Sequence, residues 1–400
     1  MFDAGRILDI GAALARKHDM VRHRYQKVRY GKFSSLEEAL AEDLALYGLM
    51  RLAEFDRSRF TGADAALTLL LLHGLDGHHT ASASPVPSLA VAHHYAHRHY
   101  RLGDYGPTTL LDRLVKQLLE DHPRTGDGTL CLPGERIRVE LMLSVVPFLA
   151  MAGTLLGRPE LHDEAVRQFY GIRAELFDEA DGLYHHARNW FRADQPTPDR
   201  WARGNGYAAT GLAELLRVLP EDYPASPSLR RNLRSHVTAL TAVQTKSGLF
   251  RQDLRDEETC EETAGSGLLL CALATGRQRG WIGEEYDEAV ERGWHGLADK
   301  IEIPGNVNVD GASGPTEPAR EEDYYRARPV KLNAATVFGP LLLAAGACYE
   351  LARVREWNRP IEAQAHFERP DPGVVWSFYT RCHEKSESRY NGDGSWEIGR

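Results

Sequence analysis

The sequence predicts an all-α protein, because apolar residues recur at helical spacing along most of its 400 residues and strand patterns are few. Short turns containing Gly and Pro, such as the one at 157–159, separate consecutive helical stretches. No linker rich in Ser and Gly and no block of charge divides the chain. We therefore expect a single helical domain over residues 1–360, with a C-terminal extension over 361–400 packed on or near it.

Twelve helices are predicted, which would pair into six hairpins. In chain order they span residues 2–18, 36–55, 63–75, 86–100, 106–122, 139–157, 159–177, 205–219, 228–243, 261–279, 283–301 and 332–354. Six hairpins can close into a double ring of helices around a central pocket. An open helical solenoid would fit the same count, although no fixed-period repeat supports one.

Four longer irregular segments interrupt the helices, at residues 123–138, 178–204, 244–260 and 302–331. Irregular connections of this length commonly carry function. Each lies between two helices that would be neighbours in a ring. We therefore expect the tips of these segments to converge.

Composition and charge exclude several classes of partner. With 42% hydrophobic and 26% charged residues, the chain is typical of globular proteins. A net charge of −9 argues against nucleic acid or an anionic membrane, so an acidic ligand would need a local basic pocket. The N-terminus lacks the apolar core of a signal peptide, and we expect no membrane-spanning stretch, the most apolar run being Ala65–Leu72.

The cysteine pattern favours a reducing compartment. The five cysteines are odd in number, widely scattered and without a CxxC pair, at positions 131, 260, 271, 348 and 382. Unpaired thiols of this kind are typical of cytoplasmic proteins. We therefore expect a cytoplasmic protein with reduced cysteines.

The segment WARGNGYAATGLAELLRVLP, residues 201–220, starts an amphipathic helix with an indole and a guanidinium at its N-terminal edge. Trp201 offers a flat face to a sugar ring, and Arg203 can bind a carboxylate through two nitrogens. By local pattern alone, an ordinary loop-to-helix junction with Trp201 in the core is the favoured explanation of this segment.

Two further segments contain candidate site residues. Glu140 lies near the start of the predicted helix 139–157, where the helix dipole favours a carboxylate for structural reasons and a partly dry pocket would suit a general acid. His185 and His186 follow the turn Gly182–Tyr184 on an irregular segment, where they are either surface residues or sugar contacts.

Other candidates carry more ordinary alternatives. Asp76 ends an apolar helix between two glycines, a position that a helix-ending turn also explains. His93 and His97 have metal-compatible spacing but no acidic residue between them, so no metal site or cofactor is predicted. No GxSxG, P-loop or dinucleotide-binding motif is present.

Several segments resemble, in the same order, the unsaturated glucuronyl and rhamnogalacturonyl hydrolases of glycoside hydrolase families 88 and 105. The matching segments lie between about residues 60 and 352: DHPRTGDG, ELMLSVVPFLA, DGLYHH, WARGNGYAATGLAELLRVLPEDYP, SGLFRQDL, EETAGSGLLLCALATGRQRGWI and YYRARPVKLNAATVFGPLLLAAGACYE. The resemblance implies an (α/α)6 barrel. It also implies hydration of the 4,5-unsaturated uronic acid at the non-reducing end of an oligosaccharide, in which an acid protonates C4 and water adds at C5.

The resemblance also implies roles for individual residues. Trp201 and Arg203 match the sugar-binding tryptophan and arginine of the family, and His186 matches its active-site histidine. Asp76 lies near the second active-site aspartate, which would orient water. Glu140 stands where the family has its catalytic aspartate.

The chain departs from the family pattern around that acid. Aspartate has become Glu140, which moves the carboxyl by on the order of 1 Å. The tryptophan two residues earlier has become Arg138, the residues after DGT are Leu130–Leu132, and the second tryptophan of the RGNGW pattern is Tyr207. Arg138 beside Glu140 would hold it ionised, which disfavours an acid role.

The leading hypothesis is a glycoside hydrolase acting on a small carbohydrate or glycoside that carries an unsaturated or otherwise modified uronic acid. Glu140 would be the acid and base, Asp76 would orient water, and Arg203 or Arg138 would meet the substrate carboxylate. Two alternatives remain. One is a hydrolase of saturated β-glucuronides or of a glycosylated small metabolite, and the other is a non-catalytic carbohydrate-binding relative.

Overall fold

The structure is a computed structural model that describes residues 2–26, 36–60, 89–90, 92–93, 108–303, 307–321, 323–357, 389–391 and 395–397. Twelve helices are described, and the all-α prediction is confirmed. They are α1 (Ala4–Gln26), α2 (Leu36–Phe55), α3 (Thr109–Lys116), α4 (Leu141–Ser144), α5 (Val146–Leu156), α6 (Glu160–Leu176), α7 (Ala202–Val218), α8 (Ser226–Ala242), α9 (Thr263–Gln278), α10 (Asp287–Asp299), α11 (Asp323–Arg326) and α12 (Ala335–Trp357). A π-helical turn, Gln117–Asp121, extends α3, and a 3₁₀ turn, Glu284–Tyr286, precedes α10.

The helices form an inner and an outer layer. In the inner layer α2 packs on α12, α12 on α9, α9 on α7, and α7 on α4 and α5. The outer helices α1, α6, α8 and α10 pack on α12, α5, α7 and α9 respectively. Inner helices are buried on nearly all sides, as α7 and α9 show, whereas α6, α8 and α10 each have one buried and one exposed face.

Small residues let the inner helices approach closely. A Cβ at Gly211 in α7 would collide with the backbone carbonyl of Met142 in α4. A Cβ at Gly206 would lie 2.6 Å from the Cβ of Leu268 in α9. Contacts this short require glycine, so they hold α7 tightly between its two neighbours.

Short strands tie the irregular segments together. The strands are β1 (Ile137–Arg138), β2 (Phe177–Asp178), β3 (Leu183–Tyr184), β4 (Ala187–Arg188), β5 (Ile301–Glu302), β6 (Asn308–Val309), β7 (Ala312–Ser313), β8 (Val330–Lys331), β9 (Arg389–Asn391) and β10 (Ser395–Glu397). They pair antiparallel as β1–β4, β2–β3, β5–β6, β7–β8 and β9–β10. In the β1–β4 ladder, Arg138 lies opposite Ala187.

Most predicted helices are found within a few residues of their expected ends, with some corrections. The expected helix 139–157 is two helices, α4 and α5, separated at Val145 and with Pro147 in the first turn of the second. Helix α1 continues to Gln26, and α11 was not expected. The predicted helix 63–75 lies outside the described residues, and only 89–90 and 92–93 of the helix 86–100 are described, as helical.

The expectation that no apolar stretch reaches a membrane-spanning length was wrong as regards length and composition. Residues Ala335–Arg355 of α12 are long and apolar enough to cross a membrane by length and composition. However, 83% of the most apolar window of this helix is buried inside the protein, as in the core helix of a globular domain. The domain boundary at residue 360 stays a prediction.

Candidate active site

The four irregular segments meet at one end of the helical layers, as expected from their order in the chain. β1 of the first segment pairs with β4 of the second, and Trp201 bridges to Asp253 of the third. Arg203, at the start of α7, donates to the carbonyl oxygen of Ser313 in the fourth segment at 3.0 Å. All four segments therefore contribute residues to a single polar cluster.

Glu140 lies at the centre of this cluster. It is fully buried and stands between β1 and α4, so the short strand and the helix together fix the position of its backbone. Its Oε1 accepts a hydrogen bond from Arg138 Nη2 and lies 3.3 Å from His186 Nε2. Within the described part of the chain, Oε2 of Glu140 has no hydrogen-bond partner. One oxygen of the carboxylate is thus held and the other is unengaged.

The surroundings of Glu140 keep it ionised. Burial alone would raise its pKa, but the charges of Arg138 and His186 and their hydrogen bonds outweigh burial and lower the pKa to about 2. The sequence-based expectation that Arg138 would hold this carboxyl ionised agrees with this arrangement. In this state Glu140 is a base, not a proton donor.

His186 connects Glu140 to a tyrosine that the sequence analysis did not identify. Its Nδ1 lies 3.0 Å from the hydroxyl of Tyr325 in α11. In both the neutral form with a proton on Nε2 and the charged imidazolium, Nε2 donates to Glu140; Nδ1 accepts from the Tyr325 hydroxyl in the neutral form and donates to it in the charged form. Burial, followed by the neighbouring carboxylates Asp199 and Asp253, raises the pKa of Tyr325 well above its usual value, so the phenol stays neutral.

Trp201 is buried, contrary to the expectation that one face would be open to a sugar ring. Its ring stacks against His186 with centroids 4.2 Å apart and planes inclined by 31°. Tyr207, also buried, meets it edge-on at 6.0 Å. In this structure the indole therefore supports His186 from behind.

Unpaired polar atoms accompany the buried indole. Trp201 Nε1 and Asp199 Oδ2 have no hydrogen-bond partner among the described residues. The other oxygen of Asp199 accepts from the backbone N–H of His186 at 3.2 Å. Buried polar atoms without partners are uncommon in folded proteins, and their clustering here is typical of a site that receives a ligand or water.

Arg203 is engaged within the protein and does not point into an open pocket. Its Nη2 donates to Glu262 at 3.3 Å and to the carbonyl oxygen and the hydroxyl of Ser313. Both Arg203 and Glu262 are fully buried. The expectation that Arg203 is available to bind a carboxylate is therefore not met in this structure.

Arg138 is the arginine that bridges the buried site and the surface. Its Nη2 donates to Glu140, and its Nη1 donates to Glu317 at 3.0 Å. Its guanidinium lies 5.2 Å from the ring centroid of Trp190. The side chain of Arg138 is 5% exposed and that of Glu317 is 55% exposed, so this ion pair lies at the outer edge of the cluster.

Four sequence candidates remain: Asp76, His93, His97 and His185. Asp76 and His97 fall outside the described residues. His93 pairs with Glu54 at 2.8 Å, and His185 lies beside Arg200, 2.6 Å from its Nη1. No group of three or more His, Cys, Asp or Glu side chains within the described ranges could hold a metal ion.

Sequence reasoning missed Glu317 and Tyr325, whereas it placed Trp190 behind His185 and His186 in a candidate sugar-contacting loop. Tyr325 lies in the segment YYRARPVKLN, which carried part of the family resemblance, and this was the available signal for it. Glu317 lies on an irregular segment with no periodicity that would point to a site.

Comparison with known proteins places the chain among carbohydrate-active enzymes. The profile of Glycosyl Hydrolase Family 88 matches residues 45–352. A protein designated Atu3128 from Agrobacterium fabrum is 34% identical over 233 residues, covering 52% of this chain and 99% of the relative. The unsaturated rhamnogalacturonyl hydrolase YesR from Bacillus subtilis is 24% identical over 255 residues, covering 62% and 72% of the two chains.

Solved structures agree in fold. A family 105 glycoside hydrolase from C. acetobutylicum matches with a TM-score of 0.69 and 20% identity, covering 84% of this chain and 98% of that one. An unsaturated glucuronyl hydrolase from Bacillus sp. GL1 matches with a TM-score of 0.61 and 16% identity, covering 84% and 94%. At this identity the likeness shows the fold alone. The expected (α/α)6 barrel is thereby confirmed.

Proposed function

The chain belongs to Glycosyl Hydrolase Family 88, and on this basis we propose that it releases a 4,5-unsaturated uronic acid from an oligosaccharide or glycoside. The chain is a glycoside hydrolase of the unsaturated uronyl hydrolase type. The observation that carries the assignment of the site is Glu140, a fully buried carboxylate with one oxygen paired and one unengaged where four segments meet.

In this proposal Glu140 acts as both acid and base. Protonated Glu140 gives its proton to C4 of the unsaturated ring, and positive charge develops at C5 and the ring oxygen. A water molecule then bonds to C5 through its oxygen and returns a proton to Glu140. The resulting hemiketal opens and the aglycone leaves. One carboxyl thus ends the cycle in the state in which it began.

Glu140 must first become protonated, and a weaker hold of Arg138 on its carboxylate would raise its pKa and allow this. When the substrate carboxylate binds Arg138, it draws on the guanidinium charge more strongly than the solvent-screened Glu317 does, and Glu140 stands beside a second anion that is shielded from water. Both changes favour the neutral carboxylic acid. The pKa of about 2 that Glu140 has while paired with Arg138 would rise, and the substrate itself would prepare the acid.

The other residues have supporting roles in this proposal. His186 would face the reacting end of the ring beside Glu140, with Trp201 and Tyr207 holding the imidazole in place. Arg203 would anchor the segment around Ser313. Asp76 is retained, through the resemblance alone, as the residue that would orient water. Cys131, Cys260, Cys271 and Cys348 are free thiols, which supports a reducing compartment such as the cytoplasm.

The test is the ultraviolet absorbance of the enoate in an unsaturated uronide disaccharide, which hydration abolishes. Wild type is expected to remove it, and Glu140→Gln is expected to be slower by two to four orders of magnitude, about the contribution of a general acid. Normal turnover by the variant would disprove the assignment of Glu140. Product analysis separates hydration, which gives a ring-opened keto-aldehyde, from hydrolysis of a saturated β-glucuronide.

A second candidate function is carbohydrate binding without catalysis. The observation that favours it is the ion pair between Glu140 and Arg138, which leaves no acid ready for proton transfer. A binding protein would gain thermal stability with uronic acids and leave the enoate absorbance unchanged. Turnover that depends on Glu140 would exclude it.

A further inference from the structure

A single guanidinium joins a buried carboxylate to an exposed one. Arg138 donates through Nη2 to Glu140, which is inaccessible, and through Nη1 to Glu317, whose side chain is 55% exposed. The outer nitrogen of Arg138 is therefore held by a group that faces water. A carboxylate arriving from solvent would meet Glu317 before it could reach Arg138.

The segment that carries Glu317, residues 314–321, is anchored on its inner side. Thr316 is fully buried and donates to the carbonyl oxygen of Gly314 at 3.0 Å. That same carbonyl accepts from Arg203 at 3.3 Å, and Ala319 is buried. The backbone of the segment is thus fixed, whereas the side chain of Glu317 projects from its outer face and can turn into solvent.

Two aromatic residues, Trp190 and Phe191, lie near this segment, and Arg138 contacts both Trp190 and Glu317. The guanidinium groups of Arg136 and Arg138 lie 4.9 and 5.2 Å from the ring centroid of Trp190. From the segment 314–321, the guanidinium of Arg320 lies 5.2 Å from the ring centroid of Phe191. The two chain segments are therefore joined at two places, through Arg138 between Trp190 and Glu317 and through Arg320 against Phe191.

We propose that Glu317 occupies on Arg138 the position of the substrate's carboxylate, and that this carboxylate must replace Glu317 for the substrate to bind. The proposal rests on the function proposed above and adds a residue that determines specificity. The exchange substitutes one carboxylate for another, so Arg138 keeps a charged partner throughout. A neutral sugar would leave the outer nitrogen of a buried guanidinium without its partner, and would be rejected for that reason.

The exposure of Glu317 makes the exchange feasible. An ion pair with one partner in water is weak, because solvent screens it and the freed side chain regains its freedom. The pair of Arg138 with Glu140 lacks this solvent access. The incoming carboxylate is therefore expected to displace Glu317 first, and to perturb Glu140 only afterwards.

The test compares Glu317→Gln with Glu321→Gln, a substitution of an exposed glutamate on the same segment. With an unsaturated uronide disaccharide as substrate, E317Q is expected to lower KM by about 1.5-fold to fivefold, the range of a partly exposed ion pair, while kcat changes by less than about 1.5-fold. E321Q should match wild type. Glu317→Ala is the second variant, and its KM should fall in the same direction.

A binding experiment keeps this inference separate from the proposed function. Glucuronic acid and glucose are titrated calorimetrically against wild type and E317Q, with no turnover required. E317Q is expected to bind glucuronic acid more tightly than wild type and glucose no better, and Arg138→Gln should abolish the difference. Equal affinity of folded E317Q and wild type for glucuronic acid, or undetectable binding by both, would overturn the proposal. Absence of enoate turnover by wild type, with the binding difference intact, would instead overturn the proposed function alone.

Discussion

Arg138 and Glu140 lie two residues apart on opposite sides of the junction between β1 and α4, and their side chains form an ion pair that is almost completely buried. The extended backbone at Arg138 and the helical backbone at Glu140 turn both side chains toward the same interior. The proposed catalytic carboxyl therefore carries its own counter-charge.

Removal of Arg138 should destabilise the protein in a pH-dependent manner. Because the folded-state pKa of Glu140 is lowered to about 2 from 4.5, its contribution to stability is present above pH 4.5 and is lost as pH falls toward 2. Arg138→Gln leaves a buried carboxylate uncompensated, which should cost about 3–5 kcal/mol at pH 7. With burial now dominant, the pKa of Glu140 should rise, and the variant should lose less stability than wild type on acidification.

Urea denaturation of both proteins at pH 7 and pH 4 measures this effect. Arg136→Gln is the matched control, because Arg136 lies over the same Trp190 ring and contacts a backbone carbonyl instead of Glu140. A cost for Arg138→Gln that is the same at both pH values would contradict the role assigned to Glu140.

Glu140→Asp should reduce activity even though the family has aspartate at the matching position. Arg138 and His186 are positioned around the longer side chain, and shortening it withdraws the carboxyl from both by on the order of 1 Å. A displacement of this size can lower kcat by about a hundredfold. Steady-state kinetics on an unsaturated uronide would measure it, and an Asp variant faster than wild type would show that the site is built for the shorter acid.

Substitution of Arg203 should affect folding more than substrate binding. Its guanidinium pairs with Glu262 and binds Ser313, and all three residues are buried. Arg203→Met should cost about 3–5 kcal/mol because Glu262 is left unpaired. The double variant Arg203→Met/Glu262→Gln should cost less than the sum of the single changes. A normal melting temperature with a strongly raised KM would instead make Arg203 the receptor of the substrate carboxylate.

Tyr325→Phe should impair catalysis through His186. The phenol hydroxyl lies 3.0 Å from Nδ1 of His186, so its loss frees the imidazole to change tautomer and orientation. We expect kcat to fall by about tenfold with little change in KM, a shifted pH–rate profile, and a stability loss of about 1 kcal/mol. Tyr324→Phe, at the adjacent position, is the control. Identical pH–rate profiles for Tyr325→Phe and wild type would refute this positioning role.

The helices could be predicted from the sequence because their apolar periodicity is local information. Differences arose where backbone chemistry interrupts that periodicity. Pro147 lacks an N–H group, and the helix breaks at Val145, two residues before it. At the start of α7, Trp201 remains extended and bridges to Asp253, so the helix begins at Ala202 instead of at 205.

The site could be predicted in its location but not in its contacts. Five of the predicted site residues lie close together, as the order of the family-like motifs indicated. They are Arg138, Glu140, His186, Trp201 and Tyr207. Whether Arg203 is free or paired depends on Glu262 and Ser313, which lie more than 50 residues away in sequence. Whether Trp201 is open or covered depends on how the irregular segment that carries His186 folds against it. Apolar periodicity does not encode contacts of this kind, so the partners of these side chains could be found only in three dimensions.

The two-residue ladder of β1 with β4 has a consequence for how this enzyme could be re-engineered. A shift of one residue in that pairing would turn Arg138 away from the interior, so the ladder sets the alignment of the proton-handling residues. Residues 314–321, which carry Glu317, are not part of the ladder. In the proposed mechanism Arg138 serves both substrate range and proton chemistry, whereas Glu317 serves substrate range alone. A transplanted 314–321 segment could therefore alter substrate range while leaving Arg138 and Glu140 in register.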